Sequence, residues 1–155
     1  MNPPRSVRLL VALLAIGAAA PLTSCAHLVV LHDPLSADEH NDLGVTYEAS
    51  GRRDLAAKEY RKALSLESRH ARARVNLGNI HAANGHWKSA ENCYRRALRD
   101  SSNDGDAMNN LAIALLRQGR SLDQARTLAE RAVAGGGERD SVYRATLAEV
   151  NSGAR

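Results

Sequence analysis

Histidine and cysteine are the residue types in this sequence with the clearest potential for metal or thiol chemistry, since the chain contains six His and two Cys. His81 and His86 are five residues apart, a spacing that places them on different sides of a helix and turn, whereas a zinc site needs three or four converging ligands. Cys93 is expected to be a small buried side chain. We therefore expect packing roles for His81 and Cys93. An enzyme accessory that uses their metal or thiol chemistry is the alternative.

No motif for catalysis or cofactor binding accompanies these residues. The sequence has no nucleophile elbow, Walker loop, HExxH motif or paired-cysteine site, and its Asp and Glu residues form no evident pair. The formal charge is only +4, and no aromatic residue is left over for a base-stacking surface. We expect no enzymatic activity, no cofactor or metal, no small-molecule substrate and no nucleic-acid partner.

Residues 1–24 have the pattern of an export signal. A basic start that contains Arg5 and Arg8 precedes an uncharged apolar stretch from Leu9 to Leu22. These 14 residues are too few for a bilayer core of about 30 Å, which a helix crosses with roughly 20 residues, so a cleaved signal is favoured. Because the chain stays nearly uncharged from Leu9 to Leu31, an uncleaved anchor is the alternative.

The export signal ends in Leu22-Thr23-Ser24-Cys25, which resembles the lipobox of bacterial lipoproteins. The resemblance implies that the chain is cut before Cys25, that this cysteine is lipidated, and that residues 25–36 are a tether. Two or three acyl chains hold a protein stably on a membrane. Since Ala26 follows the cysteine, the resemblance also implies the bacterial outer membrane, with the rest of the protein facing the periplasm.

The remaining sequence repeats itself at an offset of 34 residues. The residues that match in this way are Leu43 and Leu77, Gly44 and Gly78, Gly51 and Gly85, Ala56 and Ala90, Tyr60 and Tyr94, Ala63 and Ala97, and Leu64 and Leu98. A third copy contains Leu111, Ala112, Gly119, Ala125, Ala132 and Val133, with one residue inserted after Gly119. The period and pattern resemble the tetratricopeptide repeat (TPR), with copies at 37–70, 71–104 and 105–134.

This resemblance implies an all-α fold, a right-handed superhelical solenoid of three helical hairpins. The apolar spacing of three and four residues within each copy indicates helices independently of the resemblance. A capping box is expected at Ser36–Glu39 and another at Ser121–Gln124. After the glycines at 135–137, residues 138–152 are predicted to form a capping helix that covers the end of the array.

By the same resemblance, the first helix of each hairpin lines a concave groove that can hold an extended peptide or a partner's helix. The groove residues selected from the sequence are Asn41, Asp42, Arg72, Asn76, Asn79, Asn109, Asn110 and Arg117. An asparagine amide both donates and accepts hydrogen bonds, so the asparagines could bracket a ligand's backbone. Packing of the next hairpin is the alternative use of these side chains.

TPR domains that clamp the terminal carboxylate of chaperones use Lys or Arg beside such asparagines. In this sequence Asp106 and Asn110 stand where the third repeat would supply those cations, so a chaperone-binding clamp is not expected. The second helices carry Arg61-Lys62 and Arg95-Arg96, with Arg99 one turn further, which predicts a basic stripe on the outer surface. A merely solvated face is the simpler interpretation of that stripe.

Taken together, the sequence predicts a membrane-anchored TPR scaffold that binds a protein partner in the bacterial cell envelope. Assembly of a pilus, a secretin or another envelope complex is the expected role. A docking factor for a peptidoglycan hydrolase or an envelope peptidase is the alternative.

Overall fold

The computed structural model describes residues 33–153, which form seven α-helices and no strand. The helices are α1 Ala37–Ala49, α2 Arg53–Leu66, α3 Ala71–Ala83, α4 Trp87–Asp100, α5 Gly105–Arg117, α6 Leu122–Gly135 and α7 Asp140–Gly153. None of these helices combines the length and the apolar character needed to cross a membrane. The predicted export signal and the lipidation site Cys25 lie outside the described residues.

Consecutive helices pair into three hairpins, α1/α2, α3/α4 and α5/α6, and neighbouring hairpins stack on one another. The first helices α1, α3 and α5 contact in series, while α7 packs on α5 and α6. Residues Pro34–Arg155 make up a compact unit of their own. This all-α solenoid of helical hairpins confirms the fold class predicted from the 34-residue period.

Two tyrosine rings set how closely the helices of the first two hairpins approach. Tyr60 and Tyr94 are buried, and each ring lies against a glycine of the preceding helix. A Cβ atom on Gly44 would lie 2.4 Å from Cε1 of Tyr60, and one on Gly78 would lie 2.5 Å from Cε1 of Tyr94. The backbone can approach the ring this closely only where the residue has no side chain. Gly44 and Gly78 therefore allow the close approach of the two helices in the first and second hairpins.

One of the two predicted capping boxes forms and the other does not. Oγ of Ser36 accepts the Glu39 backbone N–H at 3.3 Å, and the Glu39 carboxylate accepts the Ser36 backbone N–H at 2.7 Å. The prediction for Ser121 is wrong, because its backbone is left-handed (φ 50°, ψ 47°) and its side chain caps nothing. The residue inserted after Gly119 lengthens the turn, which takes Ser121 out of the extended conformation typical of a helix cap.

The apolar core consists of two clusters of unequal size. The larger cluster extends from α3 to α7 and includes Tyr94, Leu115 and Val150. The smaller cluster lies between the first two hairpins and comprises Ala56, Ala57, Tyr60, Leu77 and Ile80. The C-terminal hairpins are therefore joined by much more apolar contact than the N-terminal one.

Candidate functional site

Asparagine side chains connect the first helices along the inner face, which we define as the face formed by α1, α3 and α5. Nδ2 of Asn76 donates to Oδ1 of Asn41 at 3.0 Å and so joins α3 to α1. Nδ2 of Asn110 donates to Oδ1 of Asn79 at 2.9 Å and so joins α5 to α3. Each of the two contacts between successive first helices thus carries one amide–amide hydrogen bond.

Two of the predicted groove residues lie beneath this face. Asn41 and Asn109 are 2% and 1% exposed. The Asn41 amide donates to the Asp42 carboxylate at 3.1 Å, and the Asn109 amide donates to Oδ1 of Asn110 at 3.2 Å. Their amides therefore position neighbouring side chains, and a ligand on the inner face would meet Asn76, Asn79 or Asn110 first.

A pocket of about 250 Å³ opens between α3 and α5. Its lining residues are Asn79, Ala82, Ala83, Trp87, Tyr94, Asn110 and Ile113. This volume is below the roughly 300–1,000 Å³ typical of small-molecule sites and is of the size that one large side chain occupies. Two amides at an otherwise mainly apolar wall suit a peptide, which presents polar backbone groups beside apolar side chains.

Hydrogen bonds fix the orientation of the Asn79 amide in this pocket. Its Oδ1 accepts the Tyr94 hydroxyl at 2.9 Å as well as the Asn110 amide. Burial raises the pKa of Tyr94, so its hydroxyl stays protonated and continues to donate. Nδ2 of Asn79 has no hydrogen-bond partner among residues 33–153, which leaves its two N–H groups for a ligand carbonyl.

The charged members of the predicted groove set lie apart from the pocket. Arg72 is bound to Asp38 at 2.6 Å, and Arg117 is bound to Glu149 of α7 at 2.8 Å. Asp42 is exposed on α1. Of the eight residues selected from the sequence, the structure brings Asn79 and Asn110 together at the pocket, and a role in partner binding for the set stays a prediction.

Sequence reasoning missed Trp87 as a pocket residue, because it assigned every aromatic residue to the scaffold. Trp87 begins α4 and forms part of the pocket wall. The residue 34 positions earlier is Arg53, so an aromatic residue replaces a cation at the same repeat position. That difference between otherwise matching repeats was the signal available in the sequence.

The histidine prediction needs a correction. His81 lies in the last turn of α3 and His86 caps α4, on either side of the turn as predicted, but this does not separate them, since their ring centroids lie 6.3 Å apart. The left-handed Gly85 (φ 74°) turns the chain back on itself between them. Burial, with the charges of Arg61 and His86, lowers the pKa of His81. Across the described part of the chain, no three His, Cys, Asp or Glu residues come together in a metal-binding arrangement.

Cys93 is partly buried, and its burial raises the pKa of the thiol. A raised pKa reduces the fraction of thiolate, which is the form that reacts as a nucleophile. The side chain is less buried than the sequence predicts, and the packing role expected for Cys93 stays a prediction.

Comparison with known proteins agrees with the repeat. Two family models, both described as tetratricopeptide repeat, match residues 47–104 and 79–140. The type IV pilus assembly protein PilF of Pseudomonas aeruginosa is 41% identical over 69 residues, which are 44% of this chain and 26% of PilF. The matched region therefore spans about a quarter of that relative.

Two solved structures share the fold. The first TPR of Spaghetti (RPAP3), bound to the HSP90 peptide SRMEEVD, has a TM-score of 0.68 and 16% identity, covering 75% of this chain and 90% of that one. YrrB, described as a TPR protein with an unusual peptide-binding site, has a TM-score of 0.66 and 24% identity, covering 74% of this chain and 58% of that one. At these identities the likeness shows the architecture alone.

Proposed function

Because this chain belongs to the tetratricopeptide repeat family, we propose that it is an adaptor that binds an extended segment of a protein partner on its inner face. The pocket between α3 and α5 carries the proposal, since it combines a mainly apolar wall with a fixed amide whose N–H groups are available. One apolar side chain of the partner enters the pocket. The neighbouring backbone carbonyl of the partner accepts a hydrogen bond from Nδ2 of Asn79.

The partner belongs to a complex of the bacterial cell envelope, and assembly of a pilus or its secretin is the specific role that we propose. The 69-residue similarity to a type IV pilus assembly protein supports this role. The Leu22-Thr23-Ser24-Cys25 sequence supports a lipid anchor at Cys25, with the array held on the periplasmic side of the outer membrane. Such an anchor would keep the adaptor where envelope complexes are built.

A matched pair of substitutions tests the inner-face pocket. Ala83 is an exposed residue at the pocket, and Ala49 is its exposed counterpart 34 residues earlier on α1. Ala83→Arg in the full-length protein should reduce crosslinked partner recovered from membranes at least tenfold (~1.4 kcal/mol), whereas Ala49→Arg should leave recovery unchanged. Mass spectrometry of the recovered chains tests the envelope role, which requires pilin or secretin subunits. Equal recovery with both variants would remove the pocket from the proposal.

The lipid anchor has its own test. We expect mass spectrometry of the membrane-extracted protein to find acyl chains on Cys25 at a new amino terminus, and Cys25→Ser to abolish this acylated product, because serine cannot form the thioether to the lipid. An unsubstituted protein that is extracted from membranes with residues 1–24 attached and no acyl chain on Cys25 would instead indicate an uncleaved anchor.

A further inference from the structure

The outer surface of α2 and α4 carries cations that no carboxylate compensates. We define the outer basic face as Lys58, Arg61, Arg96 and Arg99, which are all exposed. Within residues 33–153, no acidic side chain lies at ion-pair distance from any of these four. The exposed acid of the two helices, Asp54, lies one turn before Lys58 and lines a groove with it, but Arg52 and Arg53 line the same groove, so its surroundings stay net positive. The face therefore keeps its positive charge.

The other acids of α2 and α4 are turned inward and already paired. Glu59 and Glu91 are buried, and Asp100 is largely so. Their ion-pair partners are His40 and Lys62 for Glu59, Lys88, Arg95 and Arg120 for Glu91, and Arg69 and Arg74 for Asp100. Because the inward-facing acids form their ion pairs with other cations, the four cations of the outer basic face have no carboxylate partner.

The cations of the two helices share one area of the surface. Lys58 and Arg61 lie one turn apart on α2 and, with Lys62 and Ser65, line a shallow groove of about 380 Å³. Arg96 and Arg99 lie one turn apart on α4. Cys93 of α4 packs against the apolar cluster that contains Ala57 and Tyr60 of α2, so the two helices adjoin beneath these cations.

We propose that the outer basic face binds the anionic headgroups of a phospholipid membrane, with α2 and α4 lying against its surface. Each cation near such a surface strengthens binding about fivefold, so four cations give half-binding at lipid concentrations on the order of 1 mM. This affinity is weak for a free protein and sufficient for a tethered one. The inner face, formed by the other helix of each hairpin, then points away from the membrane toward its partner.

A membrane fits this face better than an acidic protein does. Protein interfaces are built around a desolvated apolar or aromatic centre. Among the described residues, the exposed large apolar side chains are Val45, Leu66 and Val142, of which only Leu66 belongs to α2 or α4. A charged face without such a centre is suited to phosphate groups, which are bound by charge with few geometric demands.

The length of chain before α1 is compatible with this docking. Eleven residues separate Cys25 from Ala37, and even fully extended they span at most about 40 Å. A lipid on Cys25 would hold the array within that distance of the bilayer. The orientation relative to the membrane rests on the proposed lipid anchor, whereas binding of the face to vesicles does not.

The test uses a fragment of residues 26–155, which retains the whole compact unit and lacks Cys25. Sedimentation should show binding to phosphatidylcholine vesicles that contain about 30% phosphatidylglycerol, no binding to pure phosphatidylcholine, and loss of binding at about 0.5 M salt. The variant carrying Lys58→Gln, Arg61→Gln, Arg96→Gln and Arg99→Gln should bind at least tenfold more weakly.

The control variant removes the same charge from another surface, through Arg120→Gln, Arg126→Gln, Arg139→Gln and Arg144→Gln. Arg126, Arg139 and Arg144 sit in solvent-accessible ion pairs, which contribute little to stability. Arg120 is exposed and is the most distant of three cations around the buried Glu91, which keeps Lys88 and Arg95, so circular dichroism should show both variants folded. The control should bind vesicles within about twofold of the unsubstituted fragment.

Equal vesicle binding by the two variants would overturn the proposal, and so would binding to polyglutamate without binding to vesicles, which would assign the face to an acidic protein. The full-length protein with the outer face substituted should still recover its crosslinked partner, whereas Ala83→Arg should bind vesicles normally. Vesicle binding therefore tests the outer basic face, and partner recovery separately tests the inner-face pocket.

Discussion

The junction between the first and second hairpins and the junction between the second and third are built from equivalent helices, yet different side chains hold them together. At the first junction, Asp38 of α1 binds Arg72 at 2.6 Å and His70 at 3.1 Å, above a small apolar cluster. At the second, the apolar cluster is continuous from α3 to α7. The first junction therefore depends more on polar contacts at the surface.

The inner face differs in the same way. At the second junction the Tyr94 hydroxyl donates to the Asn79 amide beside the pocket. At the first, the equivalent Tyr60 hydroxyl donates to the Glu48 carboxylate, and Val45 stands exposed where Asn79 stands in the next repeat. The candidate binding pocket thus lies at the junction that has the larger core.

Stability in a repeat array is approximately a sum of the stabilities of single repeats and of the contacts between neighbours. The weaker first junction should let α1 and α2 open before the rest of the array. A site at the second junction would keep its shape during such opening, which is what a preformed binding pocket requires.

The largest expected effect comes from removing the two buried tyrosine rings in turn. Tyr94→Ala and Tyr60→Ala should each cost about 3–5 kcal/mol. The single tryptophan, Trp87, begins α4 and reports on the second junction by fluorescence, while circular dichroism reports on all helices. In urea unfolding, Tyr94→Ala should move the circular dichroism and fluorescence transitions together to lower urea concentration. Tyr60→Ala should make the circular dichroism transition begin at lower urea and leave the midpoint of the fluorescence transition nearly unchanged. Coincident shifts for Tyr60→Ala would show that the junctions are equally strong.

The sequence predicted the hairpins because their signals are local. The packing of Gly44 and Gly78 against tyrosines and the Ser36 cap each depend on residues within one hairpin, and the 34-residue period repeats that local pattern along the sequence. Three features were not predicted because they depend on stacking or on turn geometry: the burial of Asn41 and Asn109, the pocket that includes Trp87, and the closeness of His81 to His86.

A glycine substitution tests the packing inside the second hairpin. Alanine in place of a helical glycine ordinarily stabilises by up to about 1 kcal/mol, but Gly78→Ala puts a Cβ against the Tyr94 ring and should cost about 1–3 kcal/mol. Gly135→Ala is the matched control, because a Cβ there meets nothing within 4 Å. Urea unfolding of both variants measures the difference, and a stabilised Gly78→Ala protein would disprove the close-packing role of the glycine.

A buried carboxylate makes a smaller contribution at the second junction. Burial alone would raise the pKa of Glu91, but hydrogen bonds from Gln118, Arg95 and Lys88 outweigh it and hold the pKa below its ordinary value of 4.5. Glu91 therefore stabilises the fold above about pH 4.5, and this contribution is lost as the pH falls through the lowered pKa.

Substitution of Glu91 by glutamine should cost about 1–3 kcal/mol at pH 7, measured by urea unfolding. The difference in unfolding free energy between Glu91→Gln and the unsubstituted protein should become smaller as the pH falls below about 4.5. Glu130→Gln is the control, since Glu130 is exposed on α6, and should change stability by less than about 0.5 kcal/mol at either pH. If the difference in unfolding free energy does not change with pH, the substitution destabilises the protein because the amide does not fit the site, and not because the charge is lost.

The smallest effect is expected at Asp38, which holds the first junction from an exposed position. Hydrogen bonds from Arg72 and His70 lower the pKa of its carboxyl, so the contact contributes at neutral pH and is lost as the pH falls through the lowered pKa. Asp38→Asn keeps an oxygen at this site and removes the charge. The circular dichroism transition should begin at a lower urea concentration, while the midpoint of the Trp87 fluorescence transition should not change.

Asp42→Asn, four residues along the same helix, is the control and should change neither transition. At about 1 M salt, where the Debye length falls to roughly 3 Å, the attraction between these exposed charges weakens, and the difference between Asp38→Asn and the unsubstituted protein should shrink. If the difference persists there, the first junction is held by the geometry of these hydrogen bonds and not by charge.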